Sequence, residues 1–157
     1  MSCTLTSEIN TVISAPRLFK AAILDGYNLN PKIAPDKIVS AVIIEGDGGV
    51  GTVRQYNFSP AMPFSYEQRR LEFQDVEKCE IKLSVVGGGG LGVFFESASL
   101  HIKFSATDTG SLAKMVLTYT PKPGANGEQY ENMMKGSFQG VIKGCEAFLL
   151  ANPDAYN

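Results

Sequence analysis

Two hydrophobic periods divide the chain. Between residues 38 and 120, apolar and polar positions alternate with a period of two, the spacing of strands with one face turned inward. Beyond Gly127, apolar residues recur every three or four positions, as on a helix with one apolar stripe. In segment 78–86, Cys79, Ile81, Leu83 and Val85 share one face, and Glu80, Lys82 and Ser84 share the other. In 111–120, Ala113, Met115, Leu117 and Tyr119 face in against Lys114, Val116 and Thr118. Segments 38–45, 52–59, 64–75 and 93–106 complete a run of six strands. A first strand over 4–13, with Leu5, Ser7, Ile9 and Thr11 on one face, makes seven. Short turns between the last six predict an antiparallel meander.

Two short helices and one long one complete the pattern. Ser14 can cap and Pro16 can sit in a first turn, so 17–24 reads as a short helix ended near Gly26. A second short helical piece spans 30–33 and stops before Pro35. After a loop at 124–127, Tyr130, Met134, Phe138, Val141, Cys145, Phe148 and Leu149 fall on one helical face, and Glu131, Lys135, Gln139, Lys143 and Glu146 fall elsewhere. That helix runs about 24 residues, or about 36 Å, and ends at Asn152-Pro153, since proline forbids continuation. The expectation is a single α+β domain over residues 1–157. A curved antiparallel sheet folds around one long C-terminal helix, with the short helices plugging one end.

The glycine-rich run Gly46-Asp47-Gly48-Gly49-Val50-Gly51-Thr52 invites a phosphate-binding reading, but its setting opposes it. A phosphate cradle needs converging backbone N–H groups and a following helix N-terminus. Here strands lie on both sides, so the glycines supply the positive φ of a hairpin connection.

The bulk numbers narrow the function class. The 157 residues are 44% hydrophobic and 19% charged with a net charge of −2, a globular balance without the basic footprint of nucleic-acid or anionic-membrane binding. No apolar run is long enough to span a bilayer, and the N-terminus shows no signal-peptide pattern, which makes the expected location cytoplasmic. Three scattered cysteines and a single histidine, His101, give neither a zinc nor a disulfide spacing, and no metal or cofactor is expected. His101 reads as a solvated strand residue.

The inward positions mix aliphatic and thioether groups with a few polar-tipped ones: Tyr56, Tyr66, Gln68, Arg70, Tyr119 and Tyr130. Sparse polar groups in apolar walls characterise small-molecule pockets, yet tyrosines with wet hydroxyls at a core boundary give the same pattern, and the residues alone favour core. Gly136, Gly140 and Gly144 on the long helix permit either close packing or room for a ligand.

A family resemblance weighs in for the pocket. The stretch from Ile44 to Thr52 resembles the hallmark loop of the pathogenesis-related class-ten plant proteins, the family of the major birch pollen allergen. Pro16-Arg17-Leu18-Phe19-Lys20-Ala21, Ile23-Leu24-Asp25-Gly26, Asn30-Pro31-Lys32-Ile33-Ala34-Pro35 and the C-terminal run from Leu149 to Asn157 are similar to other family stretches, in the same order. The resemblance implies a helix-grip fold with an internal cavity that binds amphipathic metabolites such as flavonoids, cytokinins, steroids or fatty acids, in a defence or stress setting. The expected contacts are Tyr56, Phe58, Tyr66, Arg70, Leu83, Ile102, Tyr119, Tyr130, Met133, Met134 and Ser137, in a monomer without nucleic-acid or membrane partners. Ile81 and Leu83 stand where many members carry tyrosines, which implies a greasier floor.

Two catalytic alternatives come with the resemblance. An enzyme of specialised metabolism would draw on Arg70, Glu96 and Tyr119; a ribonuclease would draw on Arg54, Glu96 and Glu146, with Phe148 in place of a tyrosine. The cavity entrance is expected among 60–63, the 87–90 glycine run and the first half of the long helix, with Val141, Cys145, Phe148 and Leu149 packed at the closed end.

Overall fold

The computed structural model describes residues 2–157. Its strands are β1 (Cys3–Thr11), β2 (Ile38–Glu45), β3 (Val53–Phe58), β4 (Tyr66–Asp75), β5 (Glu80–Gly88), β6 (Phe95–Ala106) and β7 (Ser111–Pro121). They form one antiparallel sheet in the order β1-β7-β6-β5-β4-β3-β2. The meander runs from β2 to β7, and β1 closes onto β7. Inward residues meet in rows across the strands, because directly opposed residues share a face. Ser7, Met115, Ile102 and Ile81 make one row; Leu5, Leu117, Leu100, Leu83 and Leu71 make the next.

β4 departs from simple alternation. Its pairing with β5 shifts register between Gln68 and Arg69 and again between Leu71 and Phe73. Such bulges change which residues face the core. Glu67 and Leu71 are buried inward, and after the second shift Gln74 faces the interior while Phe73 lies outside under the Lys82 ammonium. The expectation that Tyr66 and Arg70 point inward is therefore corrected. Tyr66 is 39% exposed, and the Arg70 side chain is 48% exposed beside Glu72.

The short helices are α1 (Ala15–Phe19), which runs directly into a π-helical stretch, Lys20–Leu24, and α2 (Gly26–Ile33). α2 begins earlier than expected because the Asp25 carbonyl accepts from both Asn28 and Leu29 N–H. Gly26 thus opens a helix where the sequence suggested only an end.

The long helix α3 (Gly127–Ala151) is fixed at both termini. Asn126 caps it, its side chain accepting from the Gln129 N–H at 3.0 Å. At the other end the Arg17 guanidinium donates to the carbonyls of Leu149, Asn152 and Ala155 at 2.8–3.0 Å, satisfying groups that a helix C-terminus leaves open. The buried stripe is Tyr130, Met134, Phe138, Ile142, Cys145 and Leu149. Ile142 takes the place expected of Val141, and Phe148 is only half-buried, its ring 6.5 Å from that of Tyr156.

Glu146 ties α3 to the end of β1, accepting from the Val12 N–H at 3.3 Å. The Thr11 hydroxyl, that backbone N–H and Lys143 hold its carboxyl below the ordinary 4.5, against the opposing effect of burial. A lowered folded pKa contributes stability that is fully present above the unfolded value and lost as pH falls through the folded one. Melting temperature should therefore fall below about pH 4.5, and Glu146→Gln should flatten part of that fall. Parallel melts from pH 6 to pH 3 check this; an unchanged slope in the variant would contradict it.

Candidate functional site

A cavity of about 330 Å³ lies between the middle of α3 and the concave sheet. Its floor is aliphatic: Leu71, Ile81, Leu83, Leu100, Ile102 and Met115. Met133, Met134, Ser137, Phe138, Val141 and Ile142 of α3 form the roof. α2 and the π-helical stretch close one side with Ile23, Asn30 and Ile33. The exposed residues Asp36, Lys37 and Gly140 also line it, so the mouth lies between the α2–β2 connection and mid-α3, flanked by Met62 and Phe64.

The gap exists because α3 is packed at its ends. Tyr130, near its start, stacks on Phe94 with ring centroids 5.7 Å apart and meets Phe95 and Tyr119 at 4.9 and 5.4 Å. Aromatic pairs of this kind are worth about 0.5–1.5 kcal/mol beyond area burial. Cys145 and Leu149 are fully buried at the other end. Between these anchors Met134, Phe138 and Ile142 are buried, and the cavity opens beside them between the helix and the sheet. Gly144 brings α3 close to α2, where an added Cβ would meet Ile33 at 3.2 Å, whereas Gly136 faces open space.

The polar groups on the wall are few. Arg54 is committed to structure: its guanidinium donates to the carbonyls of Ile23 and Leu24 at 2.9 and 3.1 Å and lies over the Tyr27 ring. Arg69 pairs with Glu67 at 2.6 Å and packs over Tyr56. Burial is the largest single effect and works to lower the Arg69 pKa, but Glu67, by charge and hydrogen bond, together with Tyr56 and Tyr130 outweighs it; the net shift is upward, so the guanidinium stays charged. Asn30 is buried with its side-chain oxygen unpartnered.

Seven of the expected contacts line the cavity: Tyr56, Phe58, Leu83, Ile102, Met133, Met134 and Ser137. Tyr66 and Arg70 do not, for the register reason given above. Tyr119 and Tyr130 belong instead to the aromatic anchor. The Tyr119 hydroxyl donates to Glu131, and burial first and then that carboxylate raise its pKa. Glu67, Arg69 and Asn30 were not anticipated: in the polar run 67–70 no alternation marks an inward face, and Asn30 sits in a short segment. The Gly87–Gly90 run, expected at the entrance, does not line the cavity. Added Cβ atoms at Gly89 and Gly90 would stand 2.5 Å from the Glu67 carboxylate and 2.6 Å from the Phe95 ring.

Neither catalytic set assembles. Arg70 and Glu96 are exposed while Tyr119 is buried. Arg54 holds the π-helical stretch and Glu146 holds β1. His101 lies half-buried, 2.5 Å from Glu80. The glycine loop uses its amides internally: Gly48 N–H donates to Thr52 Oγ1, Gly49 N–H to Asp47 and Gly51 N–H to the Leu71 carbonyl. Among the described residues, no cluster of three or more His, Cys, Asp or Glu could hold a metal ion, and no helix is long and apolar enough to cross a membrane.

Residues 1–152 match the profile of the Pathogenesis-related protein Bet v 1 family. The chain belongs to this family. Pathogenesis-related protein 1 of Asparagus officinalis is 44% identical over 151 residues, covering 95% of this chain and 94% of the relative. Major pollen allergen Bet v 1-M/N of Betula pendula is 41% identical over 154 residues, covering 96% of each. Among solved structures, Ara h 8.0201 superposes with a TM-score of 0.86 at 30% identity over 97% of this chain and all of the other. Norcoclaurine synthase from Thalictrum flavum shares the fold, with a TM-score of 0.80 at 20% identity over 96% of this chain and 87% of that one. The Bet v 1 fold thus accounts for the sheet, the long helix and the two short ones.

The aromatic anchor carries a defect. The Tyr130 hydroxyl is buried without a partner, and an unmatched buried polar group costs about 1–3 kcal/mol. Tyr130→Phe keeps the ring contacts and removes that group, so the melting temperature should rise. A fall of several degrees would show that the hydroxyl is matched in solution.

Proposed function

We propose that the protein binds one amphipathic small molecule in this cavity and acts as a carrier or reservoir for it. The observation that carries this reading is the unfilled space under mid-α3, with an apolar floor, an open mouth and isolated polar groups on its wall. Interiors ordinarily pack to crystal-like density, and ligand sites of about 300–1,000 Å³ are lined in this way. The contacts in this reading are Tyr56, Phe58, Leu83, Ile102, Met133, Met134 and Ser137. The methionines at the roof adapt to varied shapes. One chain supplies the whole site, so the binding unit is a monomer.

Neighbours of the same fold support small-molecule binding. A structure of norcoclaurine synthase holds dopamine and hydroxybenzaldehyde. The name of the asparagus relative, pathogenesis-related protein 1, supports a setting in plant defence or stress, with the cytoplasm as the place of action. Flavonoids, cytokinins and steroids are the ligand classes to screen first.

Titration of a neutral, environment-sensitive apolar dye should give saturable binding to the folded protein, competed by such metabolites. Ser137→Phe, which fills the cavity from its roof, should weaken dye binding at least about tenfold while leaving the protein folded. Dye binding that does not saturate, or that is unchanged in Ser137→Phe, would refute the reading. Extraction of the bound metabolite afterwards should return it chemically unchanged; a product in its place would mean turnover.

A further inference from the structure

Two polar groups on the cavity wall have hydrogen-bonding capacity that the fold leaves unused. Arg69 gives Nε and Nη2 to the same oxygen of Glu67, at 2.9 and 2.6 Å. Its Nη1 makes no hydrogen bond among the described residues. Glu67 is the deeper partner, its side chain 2% exposed against 23% for Arg69. The other Glu67 oxygen is turned to Gly89, where an added Cβ would stand 2.5 Å away. The pair therefore presents its cationic end to the cavity. The second group is Asn30 of α2, which lines the cavity with its buried side-chain oxygen unpartnered. A buried acceptor without a donor is destabilising, so a ligand that donates to it gains affinity.

We infer that the cavity selects an amphipathic monocarboxylic acid that also carries a hydroxyl or N–H group. The carboxylate accepts from Arg69 Nη1, the apolar body lies on Leu83, Leu100 and Ile102, and the donor reaches Asn30 Oδ1. This rests on the cavity being a binding site. The choice of a carboxylate follows from charge. A hydrogen bond between ionised partners is stronger than one to a neutral carbonyl, and a water-poor apolar wall increases the difference. Arg54, also on the wall, adds positive potential although its own donors are engaged. A cation is repelled. Glu67 already occupies one edge of the guanidinium, so the remaining N–H groups suit a single negative charge and not a dianion.

The test uses the full chain at pH 7 and three fluorescent probes: 6-hydroxy-2-naphthoic acid, its methyl ester, and 6-methoxy-2-naphthoic acid. The hydroxy acid should bind at least about tenfold tighter than the ester. Glu67→Gln removes the internal counter-charge and should tighten the acid further while leaving the ester unchanged. The double substitution Glu67→Gln with Arg69→Gln leaves no unpaired buried charge, and in it the acid's advantage should vanish. Asn30→Leu should abolish the advantage of the hydroxy acid over the methoxy acid. Equal affinity for acid and ester in the unaltered protein overturns the inference while the cavity reading stands; absence of binding by all three probes sinks the cavity reading itself. Acid preference that survives the double substitution also overturns the assignment. Should that variant not fold, the sign for Glu67→Gln decides: weaker acid binding counts against Arg69 as the receptor.

Discussion

The structure depends on how α3 is held. A helix lying across a concave sheet can touch it along only part of its length unless side chains fill the remaining gap. Here the two ends are filled and the middle is not. Tyr130, wedged among Phe94, Phe95 and Tyr119, fixes one end. Cys145, Leu149 and the Arg17 guanidinium on the last carbonyls fix the other. Truncating one such buried side chain typically costs about 2–5 kcal/mol, enough to make the anchors the main support for a cavity that contributes little cohesion of its own. Burial also raises the Cys145 thiol to about 12, so it packs as a neutral apolar group.

The same arrangement explains why polar groups are tolerated inside. Among the cavity-facing ions Glu67 and Arg69 form a matched pair, since an isolated buried charge would be costly, and Arg54 is held by two backbone carbonyls. The pair sits where Glu67, Arg69 and Leu71 alternate inward, opposite an extra residue, Val86, in β5. Gly89 leaves room for the Glu67 carboxylate because it lacks a Cβ atom. A run that looks like a flexible hinge in the sequence is a packing surface in the fold.

Much of this architecture was legible in the sequence. Period-two alternation in β5 and β7 identified Ile81, Leu83, Met115 and Leu117 as inward, and the 3.6-residue stripe identified Tyr130, Met134 and Phe138. The site was less legible, for identifiable reasons. Alternation carries no information through the polar run at 67–70, and an extra residue in β4, Glu72, reverses which side chains of the strand face in. Tyr66 and Arg70 were therefore expected inside, where Glu67 and Arg69 stand. Tyr119 and Tyr130 face inward as expected, but whether an inward residue meets another side chain or a void depends on the stand-off of the helix. No local pattern reports that distance. The single-residue drift of the α3 stripe, from Val141 to Ile142, has the same origin: several positions fit a wide apolar face, and the sheet decides among them.

The central claim, a helix clamped at both ends and standing over a cavity in its middle, is tested most directly by amide hydrogen exchange along α3. Amides near 130–134 and 145–149 should exchange only through global unfolding, with the slowest rates in the helix. Amides at 136–141 should exchange faster through a local opening, and a saturating cavity ligand should slow them selectively. Uniform protection along α3, or a ligand effect confined to its ends, would contradict the account.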